Sequence, residues 1–286
     1  TGSKASSINS MAIGTNAQGL TTNAMAIGTR ANASTLDAFA AGLEATANGT
    51  NATALGMLSV SSGTNSFAVG SIANAASANT IAFGTNSSAS AQNAMAVGTD
   101  AIASGNDAIA SGVGSLANKR KSIAFGPFAR ATGIQSMALG SSANASGNGA
   151  LAAGSLSKAN GLNSIAIGSN AYATGNDAFT AGFNSAATSD NALALGSSAI
   201  ASGVGSYAAG LQAQASGDNS MALGTRSTSS NTDSWAAGFN AKASGRNATA
   251  LGSGSIASDT DTFAAGVQAK ALAENASSFG TSANAS

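Results

Sequence analysis

A parallel all-β solenoid of twenty fourteen-residue coils is predicted by three observations. Glycine recurs every fourteenth residue, small and large residues alternate around it, and charge is scarce enough that no ordinary globular core is expected. Glycine stands at 14, 28, 42, 56, 70, 84, 98, 112, 126, 140, 154, 168, 182, 196, 210, 224, 238, 252, 266 and 280, with no insertion or deletion. A fixed period of this kind is the signature of a repeat architecture, and it places residues 1–286 in one continuous domain. At the strand spacing of ~4.8 Å, twenty stacked coils extend over roughly 95 Å.

Each coil reads as two short strands and two turns. Around the anchor glycine, Ser10, Ala12 and Gly14 are small while Met11 and Ile13 between them are large; this is the two-residue period of a strand, which a helix does not keep. The residue two before the glycine is Ala in eighteen of twenty coils, with Thr180 and Ser278 as the exceptions. Three after it lies only Ala or Ser, as in Ala17, Ala31 and Ser59, and five after it lies Ala in seventeen coils. These spaced small residues define the second strand. A glycine-rich position seven after the anchor (Gly49, Gly63, Gly105, Gly147) and an Asn or Asp two residues later (Asn23, Asp37, Asn51, Asn163) mark the return turn, being residues that tolerate left-handed backbone or bond to their own backbone. In parallel stacking every residue meets its counterpart one coil away.

The small positions, namely two before the glycine, the glycine itself, and three and five after it, are expected to point into the coil. The large residues of the first strand then point outward: Met11, Ile13, Met25, Ile27, Phe67, Val69, Ile81, Phe83, Ile123, Phe125, Ile165, Ile167, Phe179, Leu193, Leu195, Tyr207, Met221, Leu223, Trp235 and Phe263. Burying about four methyl-sized groups per coil contributes roughly 3 kcal/mol, whereas two large residues contribute roughly 3 to 6 kcal/mol if covered. So long an apolar stripe exceeds the few hundred Å² that a monomer normally exposes. The expectation is an obligate oligomer with these residues at a shared axis.

Volume compensation supports that expectation. From Gly140 onward the residue before the anchor alternates: Leu139, Ala153, Ile167, Ala181, Leu195, Ala209, Leu223, Ala237, Leu251, Ala265, Phe279. Where it is Ala, same-face positions tend to enlarge, as in Phe179 with Phe183, Tyr207 with Leu211, Trp235 with Phe239 and Phe263 with Val267. A close-packed boundary demands such compensation, and solvent does not.

Composition excludes several function classes. The chain has no Cys and no His, so thiol or imidazole catalysis, Cys/His metal sites and disulfides are ruled out. Eleven basic and eleven acidic residues cancel, which gives no general attraction to nucleic acid. No apolar run reaches the ~18 residues of a membrane span, so this segment is not expected to insert into a membrane. The carboxylates fall in turns, as in Asp107, Asp177, Asp259 and Asp261, without a recurring pair. No catalytic residue, cofactor site or metal site is expected.

Lys119, Arg120 and Lys121 are the one charge cluster, replacing the usual Gly-x-Asn turn, and are a candidate site for an anionic glycan or partner loop. Short charge runs are usually plain solvated turns. Phe128, Leu58, Leu156, Ile72 and Tyr172 are expected at outward positions of the second strand, where single exposed apolar residues are ordinary; Phe128 is retained as a candidate surface contact.

The repeats NSMAIG (Asn9 to Gly14), NAMAIG (Asn23 to Gly28), NSFAVG (Asn65 to Gly70), NSIAIG (Asn163 to Gly168), NALALG (Asn191 to Gly196) and NSMALG (Asn219 to Gly224) resemble those of YadA-type heads, the head domains of trimeric autotransporter adhesins of Gram-negative bacteria. The resemblance runs the length of the chain. It implies a left-handed parallel β-roll, three chains about one axis as a homotrimer, and display outside the outer membrane on a stalk and anchor that are not in this sequence. It further implies adhesion to host extracellular matrix such as collagen or fibronectin, or to a host cell-surface glycan, together with autoaggregation and a part in virulence. In the YadA type such segments are linked to collagen binding, whereas residue phase here places Ile165 and Ile167 at the axis. Three rivals are a passive spacer carrying another binding segment, a β-helix enzyme acting on polysaccharide, which needs loops inserted between coils that this insertion-free register lacks, and an ice-binding solenoid. The last needs an unbroken threonine ladder, and Thr15, Thr29, Thr85 and Thr99 are interrupted by Leu43, Met57, Val113, Phe183 and Phe239.

Overall fold

The computed structural model describes residues 2–286 and contains only strands and turns among them. Twenty three-residue strands, beginning with Met11–Ile13, alternate with two-residue strands, beginning with Lys4–Ala5. Strands pair in parallel with those fourteen residues away, as in Met25↔Phe39 with Ala26↔Ala40 and in Asn32↔Thr46. The fold is thus an all-β parallel solenoid of about twenty turns. The chain packs as two compact units, residues 1–143 and 144–286. Within each, the long strands form one ladder and the short strands another.

Small side chains account for the interior. Positions two before the anchor, three after and five after are buried throughout most of each unit, as at Ala26, Ala31 and Ala33. The fourth interior position is not the anchor glycine, as residue size alone suggested, but the residue four before it: Ala24, Ala38, Ala52, Ser66, Thr80. The largest fully buried side chains are threonines, Thr80, Thr180 and Thr262. Serine replaces alanine inside with little desolvation penalty where a turn carbonyl lies within reach of its hydroxyl, which holds at most of these sites but not at Ser206, Ser220 and Ser278, whose hydroxyls are buried without a partner. Ser66 Oγ donates to the Gly63 carbonyl at 2.6 Å and Ser59 Oγ to that of Gly56 at 2.9 Å. A buried hydroxyl so paired costs little.

The anchor glycine serves the turn. Gly42 has φ +139°, and a Cβ there would lie 2.4 Å from the carbonyl oxygen of Gly56 one coil on. Both the backbone angle and the coil spacing require glycine at this point. The glycine seven after the anchor is small for only one of these reasons. Gly105 is not in the left-handed region, but a Cβ would come 2.1 Å from the Lys119 oxygen. Left-handed backbone falls instead two residues later, where the Asn and Asp of the return turn sit: Asn23 at φ 58°, Asp37 at 56°, Asn163 at 52°.

A second left-handed position occurs in the first turn, two residues after the anchor. Asn16, Arg30, Glu44 and Asn170 occupy it, and so do Leu58 (φ 57°), Ile72 (61°), Phe128 (57°) and Leu156 (59°). Those four apolar residues are therefore turn residues, contrary to their expected place on the second strand. Their phase from the anchor suits either site, and the turn consumes three residues before the strand starts. Tyr172 does lie on the short strand Tyr172–Ala173. There Lys158 Nζ sits 5.2 Å from its ring centroid, a cation–π contact.

In the second unit the size alternation is set in register. Ala153 pairs with Ile167, Ile167 with Ala181, and Ala181 with Leu195. Leu195 then pairs with Ala209, and the pattern continues to Ala265 with Phe279. Each large residue at this position is thus flanked along the ladder by alanine.

Candidate functional site

Three surfaces are open to a ligand: the outer face of the long strands with the first turn, the outer face of the short strands, and the second turn.

The long-strand face is uncharged and mostly apolar, with Thr53, Ser111, Thr249 and Ser277 as its polar positions. None of the residues expected at an axis enters the coil interior. Met11, Met25, Ile27, Val69, Ile81, Ile123, Ile165, Phe179, Leu193, Leu195, Tyr207, Met221, Leu223 and Phe263 are half-buried, while Ile13, Phe67, Phe83, Phe125, Ile167 and Trp235 are exposed. Phe125 is 59% exposed. The face extends onto the first turn, where Leu43, Met57, Val113, Phe183, Leu211, Phe239 and Val267 follow the anchor and are exposed. In all of these coils except that of Met57, the residue before the anchor is Ala or Ser. Turn and strand thereby exchange volume.

Charge is sorted among the remaining surfaces. Lys4, Arg130, Lys158, Lys242 and Lys270 project from short strands, and none of the eleven acidic residues does. Nine acidic residues lie in second turns: Asp37, Asp107, Asp177, Asp190, Asp218, Asp233, Asp259, Asp261 and Glu274. Glu44 and Asp100 are in first turns, and Glu44 pairs with Arg30 of the coil before.

The second turns also carry directional amide ladders that spacing did not reveal. Asn51 Nδ2 donates to Asn65 Oδ1 at 3.0 Å, Asn65 to Asn79 at 3.3 Å, Asn79 to Asn93 at 3.0 Å and Asn93 to Asp107 at 2.9 Å. Asn163 donates to Asp177 at 3.1 Å and Asn247 to Asp261 at 2.9 Å. An amide relays such a ladder because it both donates and accepts, whereas a carboxylate only accepts and ends it. The signal lay in the order of residue types, with Asn preceding Asp along each run.

The basic cluster occupies one second turn. Lys119, Arg120 and Lys121 lie at the surface, and Lys121 takes the left-handed position at φ 57°. Ser122 Oγ donates to the Lys119 carbonyl at 2.6 Å and accepts from the Lys119 N–H at 3.2 Å. The Lys121 N–H donates to the Asn106 carbonyl at 2.8 Å. Phe128 is exposed but lies beyond the other end of the long strand Ile123–Phe125, so the fold does not bring it to the cluster.

These features define a class: a β-solenoid with an alanine interior, an uncovered apolar strand face and a separate polar, charged edge. The family model for the YadA head domain repeat, in two copies, matches residues 1–18, 22–45, 36–59, 61–87, 89–115, 103–129, 117–143, 131–157, 159–179, 201–227 and 229–255. The chain belongs to the YadA head family, a family of bacterial surface adhesins and not of enzymes. No curated protein matches the chain. Residues 180–200 and 256–286 lie outside the matched segments yet keep the same register, as in Thr180↔Ala194 and Lys270↔Asn284.

Proposed function

We propose that three copies of this chain pack about a common axis through their long-strand faces, and that the trimer is an adhesive head displayed on the bacterial surface for host extracellular matrix and for other copies of itself. The observation that carries the reading is the uncovered apolar face. Isolated, the chain leaves Ile13, Phe83, Phe125 and Trp235 exposed on its long strands while its own interior is filled with alanine. Larger patches of this kind mark contact surfaces. With that face at the axis, the short strands and second turns become the surface offered to ligands.

Light scattering with sedimentation tests the assembly, and solid-phase binding to collagen and fibronectin tests the adhesion. An elongated three-chain particle that survives dilution and binds either protein is expected. A folded monomer overturns the axial assignment. A stable trimer that binds neither protein nor itself is a spacer, and the adhesive reading falls.

A further inference from the structure

We propose that Lys119, Arg120, Lys121 and Arg130 form one anion-recognition corner whose ligand is a linear sulfated polysaccharide. The proposal deepens the adhesive reading by naming a ligand class, and it rests on the surface display that reading assumes.

Arg130 is nine residues from Lys121 in sequence, and stacking sets it on the short strand that leads into the basic turn. The short strand Leu116–Ala117 leads through Asn118 into the basic turn, and Arg130 stacks directly on Leu116 in the next coil. Four of the chain's eleven basic residues thereby occupy two adjacent coils, Arg130 at the first-turn end of the short-strand face and the other three in the second turn at its far end. Among the described residues none of the four joins an ion pair. The nearest carboxylate along the edge, Asp107 one coil before Lys121, already accepts from Asn93. In the coil after Lys121 the same position is the neutral Gln135.

The turn is held before any ligand arrives. Besides the two Ser122 contacts, the Arg120 carbonyl accepts the Gln135 N–H at 3.0 Å, which ties the basic turn to the coil on its far side. Fixed backbone lowers the ordering cost of binding.

The chemistry selects a polymer. Exposed single charge pairs are worth little and are screened. A polyanion meeting several cations also releases its condensed counterions. The corner is an open surface two coils deep, suited to an extended chain lying along it. Outside the long strands these two coils carry a single ring, Phe128 in the first turn two residues before Arg130; single-stranded nucleic acid sites stack successive bases on several aromatics. Sulfate on a carbohydrate backbone needs only the cations.

The test is heparin affinity of the whole chain as a function of salt, comparing the native protein with Lys119→Gly/Arg120→Asn/Lys121→Asn, with Arg130→Gln, and with the distant pair Lys242→Gln/Lys270→Gln. The triple variant restores turn residues found in other coils, and identical thermal melts confirm folding. Each cation taken away from the polyanion should reduce the slope of log K against log salt by roughly one. The expected result is a drop of about three for the triple variant and about one for Arg130→Gln, with affinity of the triple variant down roughly tenfold or more at ~0.15 M salt. The distant pair should change nothing. Unchanged affinity in the triple variant and Arg130→Gln, or an equal loss in the distant pair, overturns the proposal. So does equal competition by DNA, or by desulfated heparin. If the triple variant misfolds, Arg130→Gln and the two competitors still decide. Collagen and fibronectin binding by the same native sample is a separate readout, so failure of matrix adhesion is distinguishable from failure of this corner.

Discussion

Replacing Phe125 by serine separates a covered face from a solvated one. Its side chain is 59% exposed on the isolated chain. A phenylalanine buries roughly 150 to 250 Å² when fully covered, so about 90 to 150 Å² remains for a partner to cover. At ~25 cal/mol per Å² this amounts to roughly 2 to 4 kcal/mol per chain, tripled in a trimer because the position recurs on each subunit. In water the same substitution is almost neutral, within about 0.5 kcal/mol, as for most exposed sites. The outcomes therefore differ by about an order of magnitude. Thermal melts followed by far-ultraviolet circular dichroism at several protein concentrations, with sedimentation equilibrium, provide the assay. The expected result is a lower melting temperature with a steeper dependence on concentration, since dissociation is coupled to unfolding. A native melting temperature and native particle mass in Phe125→Ser would refute the argument, because they would mean that nothing covers the ladder.

Three further outcomes follow from the geometry. Ala96→Leu enlarges an interior position whose class elsewhere admits nothing above threonine; overpacking typically costs about 1 to 3 kcal/mol, and a closed alanine ladder should reach or exceed the upper end in a denaturant melt. Ile72→Asn should stabilise the chain by about 1 kcal/mol in the same measurement, because a β-branched residue at φ 61° is strained where Asn is not. Asn79→Asp removes the amide that donates to Asn93 while retaining the acceptor for Asn65. It should cost about 1 kcal/mol at neutral pH, with the loss seen in thermal melts and absent from Asn79→Gln only if that longer amide keeps both contacts.

Period, strand phase and an interior of small residues were legible in the sequence because each depends on residue size at a fixed spacing, and size is visible there. The role of Gly42 was not, since a small residue in phase with Ala40 looks interior until the backbone shows φ +139° and the approach of Gly56. Leu58, Ile72 and Phe128 hid the first turn for a related reason: bulky residues are poor markers of left-handed backbone, and only stacking against neighbouring coils enforces it there. Arg130 escaped notice beside the strand Leu116–Ala117 that leads into the basic turn because coil stacking, not chain distance, brings it there.

The in-register alternation of Ala and large residues in the second unit changes what counts as one repeat. Backbone pairing is satisfied by adding or deleting a single fourteen-residue coil. The outer face is not, because removing one coil would set Leu195 beside Leu223, or Ala181 beside Ala209, and break the exchange of bulk between strand and turn. Loss or gain of two consecutive coils preserves it. Recombination within the gene for this region should therefore tolerate length changes in steps of a coil pair, so the heritable unit is a doublet even though the folding unit is a single turn.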